Sequence, residues 1–185
     1  NGAFFGEFGG GLEIALRGLH AINYAWIRRG PPTALTAAYL AATGAPDVPD
    51  LMEGLSFGRY TVQPHLALEV FAAAAAGDAV AADILRWAGE ELGWLAVAVL
   101  RQLDLQDEAV EVVQSGSVFH GGPAVTAPME ALVRHHAPRA RFIRLRTLPV
   151  VGAVVLAVAT AGQSPYPLRD TLIATLPDVY PPAAG

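Results

Sequence analysis

Ala109-Val110-Glu111-Val112-Val113, running into Ser115-Gly116-Ser117, decides the fold class. Upstream of this stretch apolar residues recur at helical spacing. Within it, a β-branched run without that period reads as a buried strand feeding a turn. The pattern then changes again. Pro123 to His136 reads as a helix, Arg141-Phe142-Ile143-Arg144-Leu145 alternates as a strand, and Pro149 starts an apolar helix ending near Gly162. Strand, helix, strand, helix predicts an α/β fold that is helix-rich with a small sheet, in which 110–113 and 142–145 are neighbouring strands.

Working back from that strand, Asp78 caps the longest predicted helix, whose apolar face carries Ile84, Leu85, Ala88, Leu92, Val99 and Leu103. A shorter helix follows Thr61 and stops at Gly77, with Leu66, Val70, Phe71 and Ala74 on one side. Asp47 or Asp50 caps a brief helix around Leu51-Met52, and Pro31-Pro32 leads one through Leu35, Ala38, Tyr39 and Ala42 to a stop at Gly44. The first helix follows a strand at Ala3-Phe4-Phe5 and the turn Gly6-Glu7-Phe8-Gly9-Gly10-Gly11. It carries Leu12, Ala15, Leu16, Leu19, Ile22 and Trp26 at helical spacing. At the other end, the proline-punctuated tail 163–185 has little periodicity apart from Leu172-Ile173 and is expected to wrap the surface or fray.

The length of 185 residues suits one domain. With 53% hydrophobic residues, 16% charged residues and no cysteine, a disordered chain, a disulfide framework and a cysteine-ligated metal site are all excluded, and a reducing, cytoplasmic setting is expected. Seventeen acidic against 12 basic residues give a net charge of -5 with no basic stripe, so no nucleic-acid partner is expected. No membrane span is expected either, because the most apolar run, Leu148 to Gly162, falls short of the ~20 residues that cross a bilayer. The chain opens on Asn1 as if a strand were already in progress, and an N-terminal half is expected to precede it.

Two turns carry the candidate chemistry. Gly6-Glu7-Phe8-Gly9-Gly10-Gly11 brings nearly bare backbone to a helix N-terminus, where free N–H groups favour an anionic or hydroxyl-rich ligand, and the Glu7 carboxylate could accept from sugar hydroxyls. Ser115-Gly116-Ser117 follows a strand, the place where ligands gather in α/β folds. An ordinary tight turn accounts for either stretch as well. The remaining polar residues read as structural: His135-His136 sit at a helix end and point to different sides, and Glu90-Glu91 are neighbours on a solvated surface. Trp26, Trp87 and Trp94 read as packing, with Trp87 and Trp94 on one face that could meet a second copy in a homodimer.

Several motifs, in order, resemble the C-terminal lobe of the N-acetylglucosamine kinases and the related BadF/BadG-type ATPases, members of the actin-like, sugar-kinase superfamily. Gly6-Glu7-Phe8-Gly9-Gly10-Gly11 with Ile14 is similar to the family's Gly-Asp-Glu-Gly-Ser-(Gly/Ala) turn. Gly77-Asp78 followed by Ile84-Leu85-Arg86-Trp87-Ala88-Gly89-Glu90-Glu91-Leu92-Gly93 resembles its long helix, Gly116-Ser117-Val118-Phe119 its nucleotide turn, and Pro149-Val150-Val151-Gly152-Ala153 its final helix start.

The resemblance implies an RNase H-like lobe over 1–162, followed by the tail 163–185, that closes with a second, N-terminal lobe over ATP and an amino sugar. Gly6, Glu7, Gly9, Gly10 and Gly11 would then face the sugar, and Gly116, Ser117, Val118 and Phe119, with Pro64, the nucleotide. The phosphate-gripping hairpin, most of the Mg2+ ligands and the catalytic base belong to the other lobe, so no catalytic residue is assigned here. The departures from the motif at Glu7 and Phe8 point to an alternative, a sugar- or nucleotide-sensing or scaffold module without chemistry. An ATPase that activates a reductase or dehydratase through an iron–sulfur cluster is a further alternative, and the lack of cysteine speaks against it.

Overall fold

The computed structural model describes residues 6–145, 147–164 and 166–175, so the strand expected at 3–5 and the end of the tail lie outside the described residues. Two compact units divide the chain, one comprising Asn1–Val110 with Ser117–Ala140, the other Glu111–Gly116 with Arg141–Gly185.

The first unit is helical: α1 (Gly11–Trp26), α2 (Leu35–Thr43), α3 (Val48–Ser56), a 3-10 turn at Pro64–Leu66, α4 (Ala67–Ala75), α5 (Ala79–Gln102), a second 3-10 turn at Ser117–Gly121, and α6 (Pro123–His136). Caps set several of these boundaries. Asp47 opens α3 by accepting from the Asp50 N–H at 2.8 Å. Asp78 does more than cap α5. One oxygen accepts from Ala81 N–H at 2.9 Å, and the other takes the Thr33 hydroxyl at 2.9 Å and the Ala34 N–H at 2.6 Å, which ties the start of α5 to the segment entering α2. Burial alone would raise the pKa of this carboxyl. The donors from Ala81, Ala34 and Thr33 outweigh burial and hold it below its ordinary value.

The helices share one core. Ile14, Ala15 and Ile22 of α1 meet Leu35 and Tyr39 of α2, Leu51 of α3, Val70 of α4 and Leu85 of α5, all essentially without solvent contact. Each large side chain so buried contributes ~1.5–3 kcal/mol. The Tyr39 hydroxyl reaches through this core to donate to the Ala15 carbonyl at 2.9 Å. The longest contact runs between α5 and α6, and small residues permit it. A Cβ on Gly89 would collide with the Val125 carbonyl and Pro128, and one on Gly93 would stand 3.1 Å from the Met129 carbonyl oxygen. These two glycines belong to the long-helix motif, and helix packing accounts for them.

In the second unit, β1 (Glu111–Gln114) and β2 (Arg141–Arg144) form a two-stranded parallel sheet with Val112 opposite Phe142 and Val113 opposite Ile143. The predicted neighbours are therefore paired, but the expectation of a buried strand does not hold. Alternation puts Val113 and Ile143 on the same face, where they are 54% and 39% exposed, whereas Gln114 on the opposite face is buried. Two helices follow, α7 (Pro149–Thr160) and α8 (Tyr166–Thr175). The second was not expected. Pro167 occupies the first turn of α8, where a missing N–H costs nothing, so a proline that read as a breaker instead starts a helix. The small sheet and the abundance of helix agree with the mixed α/β class. Among the described residues no helix is long and apolar enough to cross a membrane.

Candidate functional site

The glycine turn rests on α5. Gly9 is buried with φ +102°, and a Cβ there would stand 2.7 Å from Leu92 Cγ and 2.8 Å from the Ala88 carbonyl oxygen, so both conformation and space demand glycine. The neighbouring aromatic strengthens the seat. Phe8 lies 6.1 Å from Trp87 between ring centroids, the Arg17 guanidinium sits 3.9 Å above the same indole, and Trp87 Nε1 donates to Glu91 Oε1 at 2.9 Å. Trp87 and Glu91 are thus engaged with each other, and the solvated reading of Glu91 is incomplete.

Gly6 and Glu7 stand exposed at the outer side of this turn. Gly10 is the extended residue before α1, and no side chain caps the helix there. The Glu13 carboxylate leans back over this start, within 2.6 Å of where a Gly10 Cβ would lie. A negative charge already occupies the positive end of the helix dipole, and Glu7 adds another in the same turn. Of the two ligand types the bare turn could take, this favours a neutral, hydroxyl-rich molecule over a phosphate.

Two expected ligand segments meet in the first unit. Gly11, the first residue of α1, faces Pro64, the first residue of its 3-10 turn. A Cβ on Gly11 would lie 3.3 Å from the Pro64 carbonyl oxygen. Pro64 is itself exposed.

The expected nucleotide turn divides between the units. Gly116, exposed at φ +120°, ends the segment that belongs to the second unit, and Ser117 opens the 3-10 turn of the first. Ser117 is exposed, Val118 packs against the main core and Phe119 is half-buried. That turn ends at Gly121, where a Cβ would overlap the ring of Phe71. Beside this contact opens a cleft of about 420 Å³, lined by Phe71, Ala74 and Ala75 of α4, Ala82 and Leu85 of α5, Gly121, and Ala124 of α6. Its size falls in the range of small-molecule sites. Phe71 was read from the sequence as a core residue only, since its spacing with Val70 and Ala74 marks the apolar side of α4 and gives no sign of a cleft.

At the far ends of α5 and α6, Arg101 Nη2 lies 3.3 Å from His136 Nδ1, and His136 sits 5.2 Å from Trp94 and 4.9 Å from His135 between ring centroids. The two histidines are close despite pointing apart along the helix. Burial first, then the Arg101 and His135 charges, hold His136 below its ordinary pKa. Trp26 and Trp94 are 50% and 45% exposed, so of the three tryptophans only Trp87 fills the packing role expected of all three.

Among the described residues no group of three His, Cys, Asp or Glu side chains could hold a metal ion. No family model matches the chain, and none of the curated proteins compared with it does.

Proposed function

We propose that this chain is the C-terminal, RNase H-like lobe of a cytoplasmic ATP-dependent kinase of the N-acetylglucosamine kinase type, binding an amino sugar at the 6–11 turn and ATP beside the 117–121 turn. The observation that carries the reading is the cleft bordered by Gly121: a small-molecule space with an aromatic wall opens two residues beyond the Gly116–Phe119 stretch that resembles the family's nucleotide turn, at the end of the same 3-10 turn. The carboxylates of Glu7 and Glu13 at the glycine turn add to it, since they suit hydroxyl donors and repel phosphate, giving the two turns different ligands.

In such a reaction the sugar hydroxyl oxygen bonds to the γ-phosphorus of ATP, the bond to the β-γ bridging oxygen breaks, ADP leaves, and the hydroxyl proton passes to a base. Positioning and charge stabilisation do most of the work, and they come from both sides of a cleft. This chain supplies sites that hold the sugar and the base of the nucleotide. The proton acceptor and the phosphate grip belong to the companion lobe. Calorimetric titration of the chain with ATP and with N-acetylglucosamine tests the reading, and saturable binding of both is expected. Binding of neither would overturn it.

One observation favours the sensing module instead. Phe8 stands where the resembling motif carries an acid, and it packs towards Trp87 without presenting a polar group. Sugar binding that persists without phosphoryl transfer when the chain is joined to a complete companion lobe would select that reading.

A further inference from the structure

We infer that the cleft beside Gly121 holds a purine base by its faces alone, so that guanine and hypoxanthine nucleotides bind nearly as well as adenine nucleotides. The inference rests on the nucleotide reading of the 117–121 turn and concerns how that site selects its ligand. Every lining side chain is hydrocarbon: Phe71, Leu85 and four alanines, with Gly121 adding only backbone. Of the backbone groups nearby, the Ala74 carbonyl accepts from the Gly77 N–H at 3.0 Å. No side chain in the lining can therefore donate to, or accept from, the edge of a base.

This composition bears directly on specificity. A site that reads a ligand through hydrogen bonds rejects one lacking the matching group by ~10⁴–10⁵, because its own buried polar groups are left unpaired, whereas an apolar site discriminates only ~10²-fold or less. Adenine, guanine and hypoxanthine differ in edge groups and share the flat, two-ring face. Stacking on an aromatic side chain accepts any base for that reason. Phe71 provides the aromatic wall, and its position is fixed by the close approach of Gly121, which has no Cβ to push the ring away. A purine suits the site better than an aliphatic ligand because the cleft borders Gly121, the last residue of the 3-10 turn that opens with Ser117, Val118 and Phe119 of the resembling motif, although none of those three lines it.

The test is calorimetric titration of the 185-residue chain with ATP, GTP and ITP, repeated on Ala124→Trp and Ala82→Trp. Both alanines are exposed at the cleft wall, so an indole there fills the space without entering the core. Dissociation constants for the three nucleotides within about tenfold of one another, all weakened at least about tenfold by either indole, are expected. Phe71→Leu, which keeps an apolar side chain and removes the ring, should weaken all three to the same degree. A preference for ATP over GTP and ITP of more than about a hundredfold would overturn the inference and leave the nucleotide reading intact. Equal binding that none of the three substitutions weakens would place the base elsewhere and overturn it too. No binding of any nucleotide would overturn the nucleotide reading itself, and the inference with it.

Discussion

Gly11 opens α1 against Pro64 so closely that a methyl group on Gly11 would lie 3.3 Å from the Pro64 carbonyl oxygen. The glycine turn and the turn that starts before α4 are separated by more than fifty residues of sequence, yet each limits where the other can be. Gly11→Ala should change stability by less than about 0.5 kcal/mol, because the gain in helix propensity offsets a few tenths of an ångström of adjustment. Gly11→Val, which adds branched bulk at the same point, should cost about 1–3 kcal/mol in urea unfolding. Equal stability of the two variants would show that the contact is not tight.

Gly9→Ala should be costlier than Gly11→Ala. Its left-handed φ penalises any side chain by ~1–2 kcal/mol, and Ala88 O and Leu92 Cγ block the space as well. Because Phe8 in this turn lies 6.1 Å from the Trp87 ring of α5, the variant should also shift the tryptophan emission. An unchanged melting temperature together with unchanged fluorescence would contradict the seating of the turn on α5.

Asp78→Ala removes a helix cap and both ties to the segment entering α2, and should cost about 2 kcal/mol at pH 7. The pH dependence has a definite sign. The folded carboxyl titrates below the unfolded value near 3.9, so its contribution is complete above about pH 5 and is lost as the pH falls through the folded pKa. Acid unfolding followed by circular dichroism should be shallower below pH 4 in the variant, and identical acid profiles would refute the assignment.

Tyr39 predicts the opposite sign at high pH. Burial first, and the Glu69 charge second, push its phenol well above the ordinary value, so the unfolded chain releases this proton before the folded one. Its stabilising contribution is full below about pH 10 and declines as the pH rises further. Tyr39→Phe should cost about 1 kcal/mol at pH 7, from the lost bond to Ala15, and lose less stability than the wild type between pH 10 and 11. Parallel alkaline profiles would contradict it.

Local chemistry explains how much of this architecture was legible in the sequence. Asp47, Asp78 and Gly44 mark helix ends through groups that act within three or four residues, and the β-branched run at 110–113 carries its own period. What escaped was set by distant contacts. The role of Phe71 depends on Gly121, fifty residues away, and the exposure of Val113 depends on how little covers one face of a two-stranded sheet. Of the candidate site, the seat of Gly9 on Ala88 and Leu92 and the meeting of Gly11 with Pro64 lay equally beyond any local pattern. Gly116 stands at φ +120°, where any side chain is strained whatever the ligand does, so a substitution there would not separate lost nucleotide binding from a disturbed turn, and the cleft alanines are the better probes.

The central claim, two ligands at two turns, is tested most directly by titrating Glu7→Gln and Ala124→Trp with N-acetylglucosamine and with ATP. Glu7→Gln keeps the size of the side chain and removes the charge that strengthens hydrogen bonds to hydroxyls, worth ~1.5–3 kcal/mol, so sugar affinity should fall at least about tenfold with ATP affinity unchanged. Ala124→Trp should do the reverse. Loss of both ligands in either variant, or of neither in both, would contradict the assignment of sugar to the glycine turn and nucleotide to the cleft.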